Sequence, residues 1–152
     1  MASAYLDGLK MLGRRELSEQ QVRQRLARKD YGQDEVDEAV ARLREERAIN
    51  DRRVADAIAR TETGIRKRGK VRVRMQLERA GIAKETAKAA IDDVFGAIDD
   101  DALIESSLLK RLRGRETIED EREFARLFRY LVGQGFESDR VMKTLKAYRI
   151  TR

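Results

Sequence analysis

The chain has 152 residues, 41% of them charged, and its 34 Lys and Arg outnumber its 28 Asp and Glu for a formal charge of +6. Cys and His are both absent, which excludes a disulfide framework, the usual zinc ligands and a histidine general base. The cation excess points to an anionic partner, either nucleic acid or an acidic protein surface, against the plainer reading of a salt-bridged helical surface.

No apolar run reaches the ~18 residues of a membrane span. The stretch "MASAYLDGLKMLGRRELS" has no signal-peptide core, so a cytoplasmic protein without membrane contact is expected. Pro is absent and aromatics are only 5%, while Arg, Glu, Ala and Leu abound, a composition that favours helix throughout.

In chain order, "ASAYLDGLKMLGRRE" places Tyr5, Leu9 and Leu12 on one helical face. Ser18 with Gln21 gives a capping-box signal for the next helix. That helix, in "VRQRLARKDYGQDEVDEAVARL", carries Val22 and Leu26; after a break, Val36, Ala39, Val40 and Leu43 follow at helical spacing. Asn50 or Asp51 can cap "DRRVADAIARTETGIRKR", with Val54, Ala55 and Ile58 on one face. The segment "VRMQLERAGIAKETAKAAIDDV" repeats the earlier pair without a gap: Val73 and Leu77, then Ala87, Ala90, Ile91 and Val94. The acidic run Asp99, Asp100 and Asp101 suits the start of a helix bearing Ile104, Leu108 and Leu112. Finally "LFRYLVGQGFESDRVMKTLKAY" gives the pair a third time, with Leu127 and Leu131, then Val141, Thr144, Leu145 and Tyr148.

Asp30, Gly81 and Gly135 occupy the same break, where a helix end calls for a left-handed residue. Tyr31, Ile82 and Phe136 follow as bulky residues able to fold back on the helix just ended. The spacing therefore predicts an all-α protein of three tandem three-helix units, residues 1–49, 50–97 and 98–152. A ~50-residue unit is marginal alone, so the units are expected to pack end to end into an elongated array, straight or curved.

One stretch competes with this reading. In "GKVRVRMQLERAGI", Val71, Val73, Met75 and Leu77 alternate with Arg72, Arg74, Gln76 and Glu78, the period of a half-buried strand. The sister segments do not alternate: Gln20 and Ala125 stand at the Val71 position, and Gln24 and Arg129 at the Met75 position. Helix is the expectation. Val71 and Met75 then become an exposed apolar edge or a contact between units.

The first two units resemble the RecX family of recombination regulators. The resemblance is carried by Arg15, Ser18 and Leu26 in "GRRELSEQQVRQRLARKDY", by Asp51, Arg53 and Ala55 in "INDRRVADAIAR", and by Arg68, Gly69, Leu77 and Gly81 in "KRGKVRVRMQLERAGI". Val54 stands where the family usually has Phe, Lys70 where a Pro usually opens the helix, and Gln21–Val22 where a Glu–Leu pair is usual. The third unit matches only in its helical pattern. The resemblance implies a non-enzymatic modulator that binds the RecA recombinase and lies in the groove of the RecA–DNA filament. There it would inhibit ATP hydrolysis, strand exchange and co-protease activity; some family members also bind DNA directly. A monomer is expected.

The sharpest charge feature is Arg66, Lys67, Arg68, Lys70, Arg72 and Arg74, an acid-free run of cations. Arg72 is expected to point outward, and Lys70 and Arg74, four apart, to present their charges together. Arg23, Arg25, Arg28 and Lys29 form the matching surface of the first unit, partly offset by Glu19 and Asp30. A third cluster, Lys110, Arg111, Arg113 and Arg115, is followed at once by "EDERE" (119–123), which is expected to absorb much of its charge. The "DDD" run is read as a helix start rather than a Mg²⁺ site, since no second acidic cluster completes coordination. No catalytic group or cofactor is indicated: Ser18 is explained as a cap, with no His or Cys to activate it. Two rivals remain beside the filament regulator. One is a plain DNA-binding protein, since three-helix units can present a helix to a groove; the other is a helical adaptor for a different protein.

Overall fold

In the computed structural model, residues 3–148 are described; the outer ends of the expected first and third units lie outside them. The described residues form nine α-helices and one π-helical segment, with no strand among them. In order these are α1 (Ala4–Arg14), α2 (Glu19–Ala27), α3 (Gln33–Glu45), α4 (Asp51–Arg60), the π segment (Thr61–Ile65), α5 (Lys70–Arg79), α6 (Lys84–Gly96), α7 (Asp100–Leu112), α8 (Glu121–Gly133) and α9 (Ser138–Lys146). The chain divides into two compact units, one holding residues to Ile58 with Gln76–Ala90, the other Ala59–Met75 with Ile91 onward. The divisions fall inside α4, α5 and α6.

In unit 1, α1 and α2 pack on α3 around Val22, Leu26, Val36, Ala39, Val40 and Leu43. Each fully buried Leu or Val contributes ~1.5–3 kcal/mol. The inward face of α1 is set by Ala4 and Gly8, with Tyr5, Met11 and Leu12 half-buried beside them. Leu9, expected on that face, lies outside it with 36% exposure. Gly8 approaches Leu43 so closely that a β-carbon there would sit 2.7 Å from its Cδ1, and this approach rotates the helix away from Leu9. In unit 2, α7, α8 and α9 pack around Ile104, Leu108, Leu112, Leu127, Leu131, Phe136, Val141 and Leu145.

The helix starts use the expected chemistry. Ser18 and Gln21 form the reciprocal capping box of α2, and Asp99 accepts from the amides of Asp101 and Ala102 at the start of α7. Both candidate caps near residue 50 are used, on different helices. The Asn50 side chain accepts from Arg53 N at 3.0 Å, whereas Asp51 reaches across to accept from Glu19 N, the first amide of α2, at 2.9 Å. Each satisfies a donor that a helix start leaves orphaned, worth ~1 kcal/mol.

The three breaks take the left-handed backbone expected of them, with φ of 64° at Asp30, 77° at Gly81 and 99° at Gly135. Two equivalent joints grow from these turns. In unit 1, Ser18 Oγ donates to Ala80 O at the end of α5, with Gln20 pressed against Gly81. In unit 2, Gly69 N and Val71 N, orphan donors at the start of α5, donate to Gln134 O and Gly135 O at 2.9 and 3.0 Å. A helix N-terminus thus meets a helix C-terminal turn each time, so the opposed partial charges of the two helix dipoles attract.

The alternating stretch is helical. Val73 and Leu77 are fully buried, and Gly81 ends the helix. Ile82 folds back, its amide donating to Leu77 O at 3.0 Å. Val71 and Met75 remain 41% and 39% exposed.

Candidate partner interface

Around α5 the expected cations do different things. The π segment starts where Thr63 Oγ1 bonds back to Ala59 O at 2.7 Å and Arg66 N reaches Thr61 O at 3.2 Å, five residues back. Such widened turns often accompany functional sites. Here it turns Glu62 inward, 5% exposed, where Oε1 accepts from Arg66 Nη1 at 3.3 Å and Oε2 has no hydrogen-bond partner among the described residues. Arg66 is therefore partly neutralised. Arg68 is half-buried, its amide donating to Glu62 O at 2.8 Å and its Nε buried without a partner among the described residues.

Lys70 and Arg74 do not act as a pair of free cations. Lys70 Nζ lies 3.6 Å from Asp100 Oδ2 and 5.5 Å from the centre of the Phe95 ring. The acidic start of α7, unforeseen as a partner, takes this charge, and Arg140 joins the same carboxylate at 3.8 Å. Arg72 is seated at its base. Its backbone and Cβ pack against Gly135, leaving it half-buried. Lys67, on a left-handed backbone with φ 55°, and Arg74 are exposed, with no ion-pair partner among the described residues. Arg74 stands between Val71 and Met75 on the outer face of α5, one helical turn covering all three.

In unit 1, Arg23 is half-buried and held by Asp37 and by Glu19 at 3.2 Å, contacts that raise its pKa, and the Arg23 contact lowers that of Asp37. Lys29 lies 3.8 Å from Asp7. Arg25 and Arg28 are exposed, with no ion-pair partner among the described residues.

The third cluster departs most from expectation. Only Arg115 is absorbed, through a two-pronged contact with Glu123 at 2.9 and 2.8 Å. Lys110, Arg111 and Arg113 are exposed and line a cleft with Ile65, Arg66, Lys67, Ser106, Ser107, Tyr130 and Gln134. The acids of "EDERE" are used locally. Asp120 caps α8 by accepting from Glu123 N at 2.8 Å, and Glu123 turns inward, also accepting from Glu119 N at 3.0 Å.

Comparison with known proteins fits this architecture. Residues 4–43 match the first three-helix domain of RecX, and residues 50–91 the second. The Regulatory protein RecX of Syntrophotalea carbinolica is 30% identical over 141 residues, covering 89% of each chain. This chain belongs to the RecX family. RecX of Halorhodospira halophila is 29% identical, covering 88% of this chain and 80% of that protein. Geobacillus kaustophilus RecX is 28% identical over 93% of this chain, which spans only 52% of that longer relative. The crystal structure of RecX from Lactobacillus salivarius superposes with a TM-score of 0.76 at 19% identity, over 95% of this chain and 93% of that one, a likeness of fold. The two RecX domain matches fall on the α1–α3 and α4–α6 stretches that carry the caps, core and left-handed turns. The motifs that mark the RecX family here are thus scaffold, and the exposed cations lie beside them.

Proposed function

We propose that this protein is a non-enzymatic, cytoplasmic regulator that binds RecA and the RecA–DNA filament and restrains its ATPase, strand-exchange and co-protease activities. Three tandem units, 1–49, 50–97 and 98–152, would form the scaffold, acting as a monomer. Family membership supports the role. The observation favouring a protein-containing partner is the outer face of α5, where Val71 and Met75 flank the exposed Arg74. A face that met only water would gain nothing from two large apolar side chains at i and i+4, whereas a mixed apolar and cationic patch suits a protein surface that also carries charge.

The central basic run contributes unequally in this reading. Lys67 and Arg74 are the contact residues, while Lys70, Arg72 and Arg66 hold the surface in shape through Asp100, Gly135 and Glu62. Arg25 and Arg28 offer a secondary cationic surface in unit 1.

The deciding experiment titrates the protein into RecA hydrolysing ATP on single-stranded DNA. Inhibition at stoichiometric amounts is expected, weakened several-fold by Met75→Ser with Arg74→Ala. No inhibition by the unaltered protein overturns the proposal. Inhibition unaffected by the double substitution moves the contact away from α5.

A further inference from the structure

We propose that the cleft of unit 2 lined by Arg66, Lys67, Ser106, Ser107, Lys110, Arg111 and Arg113 is a phosphate-binding site, taking a run of phosphate groups from a nucleic-acid strand or a free nucleotide. The cleft encloses about 570 Å³, the scale of a small-ligand site. Every charged side chain in its lining is a cation.

The charge survives local accounting. Glu62 offsets Arg66. The C-terminal ends of α7 and α8 lie at the cleft, and each adds only about half a negative charge. Lys67, Lys110 and Arg113 have no ion-pair partner among the described residues. Arg111 stacks on Tyr130 with its guanidinium carbon 3.7 Å from the ring centre, which fixes the fork in place at little entropic cost.

Two of these cations stand on costly backbone. Lys67 has φ 55° and Arg113 has φ 50°. Helix ends demand this conformation, but glycine meets the demand without strain. Holding a cation at both positions places strained backbone against the same cleft.

The donor chemistry favours phosphate over carboxylate. The lining combines guanidinium forks, ammonium groups, the hydroxyls of Ser106, Ser107 and Tyr130 and the Gln134 amide, an array richer in donors than in acceptors. Phosphate groups in series present several anionic oxygens each and match that density, whereas one carboxylate meets one fork. The Tyr130 ring is covered by Arg111, so the site offers no open aromatic platform for a base.

The test uses the whole protein without RecA, so its failure leaves the filament proposal intact. Fluorescence anisotropy follows binding of a labelled abasic phosphodiester strand, with inorganic tripolyphosphate and poly-glutamate as competitors. Lys110→Ala with Arg113→Gly removes two charges while relieving the backbone at 113; Lys84→Ala with Lys88→Ala removes two exposed charges from α6 in unit 1. The cleft double should weaken binding about tenfold and flatten the salt slope by ~1.4, at ~0.7 per single-strand phosphate contact. The unit 1 double should leave both nearly unchanged. Competition by tripolyphosphate comparable to that of the strand marks a free nucleotide as a source; weak competition marks the strand. Equal losses from the two doubles, or poly-glutamate competing as well as an equally charged phosphate probe, overturns the proposal.

Discussion

Unit 1 and unit 2 are both rich in cations, yet they spend them differently. In unit 1, Arg23 is tied to Glu19 and Asp37, Arg44 to Glu19, Arg42 to Glu46 and Arg53 to Glu16. Tyr5 and Tyr31 bind Glu46 and Asp7 in the same manner, and Asp7 raises the Tyr31 hydroxyl to about 12. In unit 2, Arg66, Lys70, Arg115 and Arg140 are paired, yet Lys67, Arg74, Lys110 and Arg113 face solvent unpaired among the described residues, as Arg25 and Arg28 do in unit 1, and three of those four line one cleft. Local charge density along the chain is therefore a poor guide to free charge. What matters is whether the neighbouring carboxylates are already engaged by backbone amides.

The strongest way to separate the two units is through their equivalent joints. Gly135→Ala should be the most damaging single change. A β-carbon there would lie 2.5 Å from Arg72 N and 2.4 Å from Arg72 Cβ, on a backbone with φ of 99°. Left-handed strain of ~1–2 kcal/mol adds to overpacking of ~1–3 kcal/mol, with backbone as the obstacle. Gly81→Ala shares the φ penalty; of its obstacles the Gln20 amide end can move, but Gln20 Cβ, 2.7 Å from the added carbon, yields only with a small backbone shift. Urea unfolding should show a loss of about 3 kcal/mol at 135 and nearer 2 kcal/mol at 81. Equal losses would mean that the two joints are equally rigid.

Much of this architecture is legible in the sequence, for a physical reason. Cap, core and turn positions are dictated by local backbone need, and their repetition exposes them: Ser18 with Gln21, Leu26 with Leu77 and Leu131, and the left-handed Asp30, Gly81 and Gly135. The strand-like alternation of Val71 to Leu77 loses to that repetition because Val71 and Met75 have no apolar counterpart at every sister position. The contact surface is less legible. Lys70 pairs with Asp100, distant in sequence, so its fate depends on tertiary packing. The cleft cations could have been suspected from α7 itself. Ser106, Lys110 and Arg113 fall on the side opposite Ile104, Leu108 and Leu112, and Asp120 carries a cap signal that removes it from neutralising them.

A middle-sized effect should come from Glu123, whose carboxylate is held by Arg115 and the Glu119 amide. The Arg115 contact is the chief reason its pKa falls below the usual 4.5. A carboxylate lowered on folding stabilises the fold above its unfolded value, and that stabilisation is lost as pH drops through the folded value. Thermal stability should therefore decline below about pH 4.5. Glu123→Gln should cost about 1–3 kcal/mol at neutral pH and flatten the acid decline. An unchanged acid slope would assign the decline to Asp37 and Glu46, whose pKa values are also lowered, by Arg23 and Tyr5 respectively.

The smallest effect is the most informative for function. Arg23→Ala and Arg74→Ala each remove one positive charge, but from different settings. Arg23 is engaged by two carboxylates on a partly exposed surface, so its loss should cost roughly 0.5 kcal/mol. It should leave RecA ATPase inhibition within about twofold, because its charge is already answered inside the protein. Arg74 is exposed between Val71 and Met75, so its loss should change stability by less than ~0.5 kcal/mol while weakening inhibition more than Arg23→Ala does. Titrating both variants against RecA at several salt concentrations reads the contrast directly. If the two lose inhibition equally and with the same salt dependence, the partner responds to total charge, and the distinction between engaged and free cations carries no functional weight.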